Sequence, residues 1–149
     1  MEKIEFKTTI NATAEKVWDA LFGVETYPKW TAVFAEGSRV ETDWKKGSKA
    51  LFLGDNGDGM VAVIQDNIPN RYMSIKHLGE IKDGKEDFSG DWGETLENYT
   101  LNERDGKTEL LIDMGINDEW RDYFEKTWPK ALDKVKEIAE KRSEYHVET

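Results

Sequence analysis

The clearest pattern in the chain is a long one-sided stripe near its C-terminus. From Asn117 to Arg142, the apolar residues Trp120, Phe124, Trp128, Leu132, Val135 and Ala139 recur at steps of four, four, four, three and four. That spacing places them on one face of an α-helix, with Tyr123 and Ile138 widening the stripe. Arg121, Asp122, Glu125, Lys126, Lys130, Asp133, Lys136 and Glu140 fill the opposite face and predict exposure to water. Asn117 or Asp118 can cap the start. A helix of this length spans roughly 37 Å and needs a large apolar partner.

The rest of the chain supplies that partner as strands. Ile4, Phe6, Thr8 and Ile10 alternate with Glu5, Lys7 and Thr9, the period of a half-buried strand. A short helix follows, with Thr13 as N-cap, a stripe of Val17, Trp18, Leu21 and Phe22, and Gly23 as terminator. Val24 to Trp30 reads as a short turn or helix broken at Pro28. Strands are then expected over 38–44, 49–54, 60–67, 71–78, 92–103 and 107–116, separated by turns at Lys45–Ser48, Asp55–Gly59, Ile68–Asn70 and Asp105–Gly106. Glu80 to Ser89 reads as a mobile loop. The order is strand, two short helices, about six more strands and one long helix. It predicts an α+β protein in a single domain over 1–149, with a curled antiparallel sheet of about seven strands around the C-terminal helix. A curved sheet and one helix do not fill the space between them, so a cavity is expected.

Composition sharpens this picture at three points. An apolar fraction of 38% against 35% charged residues leans toward disorder, but six Trp, five Tyr and six Phe supply the area for a core. The net charge of −10 disfavours nucleic acid as a partner. With no cysteine there is no disulfide or thiolate chemistry. The opening residues lack a signal-peptide core, and the apolar run Met60–Ile64 is too short to insert into a membrane. A cytoplasmic protein is expected. The triplets at Asn11 and Asn98 then match the glycosylation pattern by chance.

At this point the chain resembles a known superfamily. The stretch from Ile10 to Leu21, the Tyr27-Pro28-Lys29-Trp30 segment, the Gly47 turn, the strand before Pro69 and the closing helix are similar to START-like domains. These are also described as SRPBCC, Bet v 1-like or helix-grip domains. Within them the chain resembles the activator-of-heat-shock-protein-90-ATPase homologues in their small single-domain bacterial form. The resemblance implies a sheet wrapped around the terminal helix and a hydrophobic or amphipathic ligand between them. It also leaves open a chaperone partner or a cyclase-like or hydrolase-like activity, because a shared fold does not select among functions. Lys76-His77 stands where a tryptophan often closes the strand, and the last helix opens at Trp120 without a glycine; both changes bear on the pocket.

The candidate ligand-binding residues are Trp30, Phe34, Met73, Ile75, His77, Tyr99, Trp120, Phe124 and Trp128. On the last helix the same face serves as core and as cavity wall. Trp30 and Phe34 are placed at the mouth, or in a satellite core cluster. Met73, Ile75 and His77 share the strand face expected to point inward. His77 either meets a ligand or is a strand-end histidine bonded to backbone or water. Tyr99 offers a hydroxyl. Pro129 either kinks the helix, the favoured reading, or begins a separate one.

A catalytic constellation is not assembled. Asp113 could pair with His77 if its strand face pointed inward. The parity of Leu110, Ile112, Met114 and Ile116 is more apolar, however, and makes an outward Asp113 the default. Asp55-Asn56-Gly57-Asp58-Gly59 departs from a calcium loop in its third position, its flanks and its missing glutamate. His77 and His146 alone give no zinc spacing. No metal or cofactor is expected.

Overall fold

The structure, a computed structural model, describes residues 2–34, 37–89, 95–116 and 118–148, with side chains described for 3–34, 37–89, 95–116 and 121–141. Strand β1 (Glu2–Ile10) is followed by helices α1 (Ala14–Phe22) and α2 (Tyr27–Thr31). Next come β2 (Arg39–Glu41), β3 (Lys49–Leu53), β4 (Gly59–Ile68), β5 (Tyr72–Lys82), β6 (Lys85–Asp87), β7 (Leu96–Arg104) and β8 (Lys107–Ile116). Helix α3 (Asp118–Glu148) closes the chain. The sheet is antiparallel, in the order β1-β8-β7-β5-β4-β3-β2, with β6 paired to β5 beside this path.

The fold class read from the sequence holds, with local corrections. Among the described residues there are eight strands rather than about seven, because part of the expected 80–89 loop extends β5 and turns back as β6. Asp83 and Gly84 both take positive φ at that turn. A charged composition hid this edge hairpin, since its side chains are mostly exposed. The 38–44 strand shrinks to Arg39–Glu41, as Trp44 adopts φ 64° and leaves the ladder. The bulky residue is held there by packing on Phe22 (5.0 Å between ring centres) and by Asn67, whose Nδ2 donates to the Trp44 carbonyl (2.7 Å). The 92–103 strand begins at Leu96; residues 92–94 lie outside the described residues.

Alternation sets which face of each strand is buried. On β8, Thr108, Leu110, Ile112, Met114 and Ile116 are buried, and the residues between them are partly exposed. On β1, Ile4, Phe6 and Ile10 face the same side, opposite Met114, Ile112 and Thr108. The register of β4 against β5 shifts twice, between Val61 and Ala62 and between Ile64 and Asp66. Such bulges bend a strand and increase its twist, which suits a sheet that curls around a helix.

The two short helices pack on the inner face at one end. Thr13 caps α1, accepting from the Lys16 N–H (3.4 Å), and the Glu103 carboxylate accepts from the Ala14 N–H (2.7 Å). Gly23 ends α1 as expected but for a different reason: its φ is −71°, so no left-handed cap is involved. A Cβ there would lie 2.5 Å from the Asp19 carbonyl and 2.7 Å from the Thr26 hydroxyl. Pro28 does not break the next segment. It sits in the first turn of α2, where its missing N–H costs little. Trp30 then donates its indole N–H to the Leu21 carbonyl (3.0 Å), closing a free acceptor at the end of α1.

Helix α3 buries Thr127, Trp128, Ala131, Leu132, Val135 and Ala139 against this inner face. It runs through Pro129 as one helix, so the reading of two helices is set aside. Pro129 and Lys130 point to solvent, so the missing amide lies on the wet side. The N-terminal part of α3 is less covered. Phe124 is half-buried and Tyr123 is 39% exposed, with its hydroxyl donating to the Phe34 carbonyl (3.1 Å). The cavity opens on that side.

Candidate functional site

Between the inner face of the sheet, α2 and the first turns of α3 lies a cavity of about 670 Å³. Among the described residues eight aromatic side chains line it, contributed by α2 and its following turn, by β3, β7 and α3. They form a continuous network. Phe34 packs edge-on against Trp128 (4.9 Å), Trp30 meets Trp128 (5.9 Å), Tyr27 meets Trp30 (5.4 Å), and Tyr99 meets Trp128 (6.3 Å). Each ring is supported by another ring or by the core beneath. The wall is therefore preformed rather than gathered from loose surface groups.

A polar cluster interrupts this apolar wall. Glu97 of β7 faces inward, on the same side of the strand as Tyr99 and Leu101. One carboxylate oxygen contacts His77 Nε2 (3.2 Å), and the other accepts from the Tyr99 hydroxyl. His77 is 5% exposed and Tyr99 2%. Burial alone would push the Glu97 carboxyl up. The hydrogen bond and charge of His77, with the hydrogen bond from Tyr99, outweigh burial and hold it below its ordinary value. The Tyr99 phenol moves well upward, first through burial and then through the Glu97 charge. Tyr27 moves upward for the same two reasons. The cluster thus holds an ionised carboxylate between a phenol that stays protonated and an imidazole.

Two buried polar atoms of this wall have no hydrogen-bond partner among the described residues: His77 Nδ1 and Trp128 Nε1. Buried polar groups are almost always paired, and those left over tend to mark where something else binds. The rim is acidic. Asp55, Asn56 and Asp58 from the β3–β4 turn line it beside Ser38. Asn56 Oδ1 accepts from the Asp58 N–H (3.0 Å), and Asp58 Oδ1 from the Asp83 N–H (3.0 Å). The first bond is internal to the turn and the second ties it to the β5–β6 turn, in keeping with the expectation that this glycine-rich stretch is a connection.

The residues singled out from the sequence divide into three groups. Trp30, Phe34, His77, Tyr99, Phe124 and Trp128 line the cavity. Met73 and Ile75 are not among its lining residues; they are fully buried in the core. The Trp120 side chain lies outside the described residues. His77 sits within β5 rather than at a strand end, and its ring meets a carboxylate. The carboxylate is not Asp113. That residue faces outward, where it accepts from Asn98 Nδ2 (3.0 Å) and lies 3.5 Å from Lys3 Nζ.

Glu97 was missed, as were Tyr27, Phe52 and the rim aspartates. A signal for Glu97 was present. It stands two positions before Tyr99, so an inward Tyr99 requires an inward Glu97. Phe52 and Tyr27 gave no such signal, since each occupies a short element whose orientation only the tertiary packing decides.

Residues 11–140 match the family model described as Activator of Hsp90 ATPase homolog 1-like protein. The chain belongs to this family. It is the branch that the opening and closing motifs resemble. No curated protein matches the chain. Among solved structures, protein MLL2253 from Mesorhizobium loti is similar at a TM-score of 0.72 and 16% identity, over 94% of this chain and 98% of that one. The Aha1 dimer from Colwellia psychrerythraea reaches a TM-score of 0.72 at 19% identity, over 93% and 96%. CalU16 from Micromonospora echinospora reaches 0.66 at 17% identity, over 92% and 75%. At these identities the likeness establishes the fold of this family member and leaves its chemistry to its own residues. Among the described residues, no helix is long and apolar enough to cross a membrane, and no group of three or more His, Cys, Asp or Glu could hold a metal ion.

Proposed function

We propose that this Hsp90-ATPase-activator-like domain binds a small amphipathic molecule in the cavity between sheet and helix. The observation that carries the reading is an aromatic cavity of about 670 Å³ with a buried His77–Glu97–Tyr99 cluster in its wall. The volume falls inside the range of roughly 300–1,000 Å³ typical of small-molecule sites. The aromatic rings suit an apolar body, and the unpartnered His77 Nδ1 and Trp128 Nε1 suit polar groups on it. Native mass spectrometry of the protein purified from its own cells, followed by extraction, tests the reading. A defined bound molecule supports it. A protein that arrives empty and whose tryptophan fluorescence responds to no member of a broad amphiphile set counts against it.

One observation favours a second reading, turnover of the bound molecule. An imidazole held by a carboxylate at a cavity wall is an arrangement that can accept and return a proton. If it does so, His77→Ala and His77→Gln abolish conversion of a substrate while leaving its binding within a few fold. A chaperone partner rests on the family description alone; enrichment of a heat-shock chaperone in a pull-down is its test.

A further inference from the structure

The charges that line the cavity are all of one sign or can be balanced only by His77. Asp55 and Asp58 stand on the rim and Glu97 in the wall, and no lysine or arginine lines the cavity among the described residues. Whatever charge His77 holds, the described lining stays net negative, with three carboxylates against at most one imidazolium. The chain as a whole carries −10, so the wider field acts in the same direction. Against this stand eight aromatic rings, whose faces are electron-rich and attract cations within about 6 Å of their centres. His77 supplies the second, independent observation. It lines the cavity, is 5% exposed, uses Nε2 on Glu97 and leaves Nδ1 without a partner. In the neutral tautomer that keeps its proton on Nε2, against the carboxylate, Nδ1 is a bare acceptor that an N–H on a ligand would satisfy.

We infer that the cavity selects a hydrophobic cation: a molecule with an aromatic or alicyclic body and one protonated amine, seated with the amine toward His77 and Glu97. This rests on the binding reading above and deepens it. A fatty-acid-like anion would meet two carboxylates at the rim and a third in the wall, with no lysine or arginine among the described lining residues to receive it. A neutral apolar molecule would fill the aromatic part but leave the Nδ1 acceptor unsatisfied and the Glu97 charge without a counterion from the ligand. An ammonium satisfies both, through a charge-assisted hydrogen bond and the ring faces. Trp128 Nε1, a donor, adds room for one oxygen on the same molecule and contributes no positive charge.

The test uses three probes that share a naphthylpropyl body and end in a primary ammonium, a hydroxyl or a carboxylate. Their affinities for the full chain are measured at pH 7 by isothermal titration calorimetry. The expected result is that the ammonium binds at least about tenfold tighter than the alcohol, the gain ascribed to a charge-assisted contact, and the carboxylate binds weakest. Glu97→Gln should cost the ammonium more affinity than it costs the alcohol and so close most of the gap between the two. Should Glu97→Gln compromise folding, Asp55→Asn combined with Asp58→Asn provides the same comparison from the rim, with a smaller loss confined to the ammonium. Equal affinity for ammonium and alcohol, tighter binding of the carboxylate, or a preference unchanged in both variants overturns the inference while the cavity remains a binding site. If none of the three probes binds, the binding reading falls first, and this inference with it.

Discussion

At the residue scale, Glu97 is the group on which the most chemistry converges. Its carboxylate partners a buried imidazole and a buried phenol, so removing it leaves both partners unpaired. Glu97→Ala should destabilise the protein by about 1–3 kcal/mol, read from the urea midpoint. The direction of its pKa shift fixes the pH dependence. A carboxyl lowered in the folded state contributes stability that is complete above the unfolded glutamate value of about 4.3 and is lost as pH falls through the lower folded value. The stability gap between the wild type and Glu97→Gln should therefore narrow in acid. A gap constant from pH 7 to pH 3 would contradict the assignment. Tyr27 and Tyr99 act at the other end of the scale. Both phenols are raised well above the ordinary value, so the unfolded chain releases their protons first and stability falls as pH climbs beyond about 10. In an alkaline titration followed by phenolate absorbance, these two should ionise last, together with unfolding. Tyr27→Phe with Tyr99→Phe should remove that late phase.

At the element scale, close backbone approach and helix continuity decide the behaviour. Gly59 opens β4 opposite Leu53, and a Cβ there would stand 1.8 Å from the Phe52 carbonyl. The obstacle is backbone and cannot rotate away. Gly59→Ala should disrupt the β3–β4 hairpin, lower stability by about 3 kcal/mol or more, and weaken ligand binding through Phe52 and the rim. Pro129 gives the opposite sign. Alanine there restores one helical N–H, a helix-interior difference of about 3 kcal/mol, against about 0.4–1 kcal/mol of lost restriction in the unfolded chain. Pro129→Ala should thus stabilise the protein, by less than that full difference, and shift the fluorescence of the neighbouring Trp128. This scale is also where the sequence was most legible. The i, i+4 stripe located α3, and the strict alternation on β8 correctly left Asp113 outside. The edge hairpin β5–β6 was hidden because an exposed, charged strand leaves no hydrophobic period to read.

At the scale of the whole molecule, one face of α3 joins the sheet, α1 and α2 into a single hydrophobic cluster. Leu132, 6% exposed, lies in the middle of that seam. Leu132→Ala should cost about 2–5 kcal/mol and lower the single cooperative transition, rather than release the helix alone. The convex face is tied differently. Ser74 donates to Asn98, Asn98 to Asp113, and Asp113 pairs with Lys3, so a polar line crosses β5, β7, β8 and β1. Ser74, on the outward parity yet only 2% exposed, has its hydroxyl satisfied by this line. The cavity lies on the other side of the same strands. Its shape depends on a curl that two register shifts in β4–β5 help to set.

The sequence by itself determined the elements and the faces they bury. Period and parity are local properties that survive without knowledge of neighbours, and they were enough for the α+β order, the gripping helix and six of the cavity-lining side chains. Only the tertiary structure decided that His77 meets Glu97 rather than Asp113. It also withdrew Met73 and Ile75 into the core and brought the 55–58 turn to the rim of the aromatic wall. Those outcomes depend on strand register and sheet curl, which arise from side chains distant in the chain packing together; Glu97 and His77 are twenty residues apart. A carboxylate two positions from a tyrosine has a known parity, but its partner is set by the strand that the sheet places beside it.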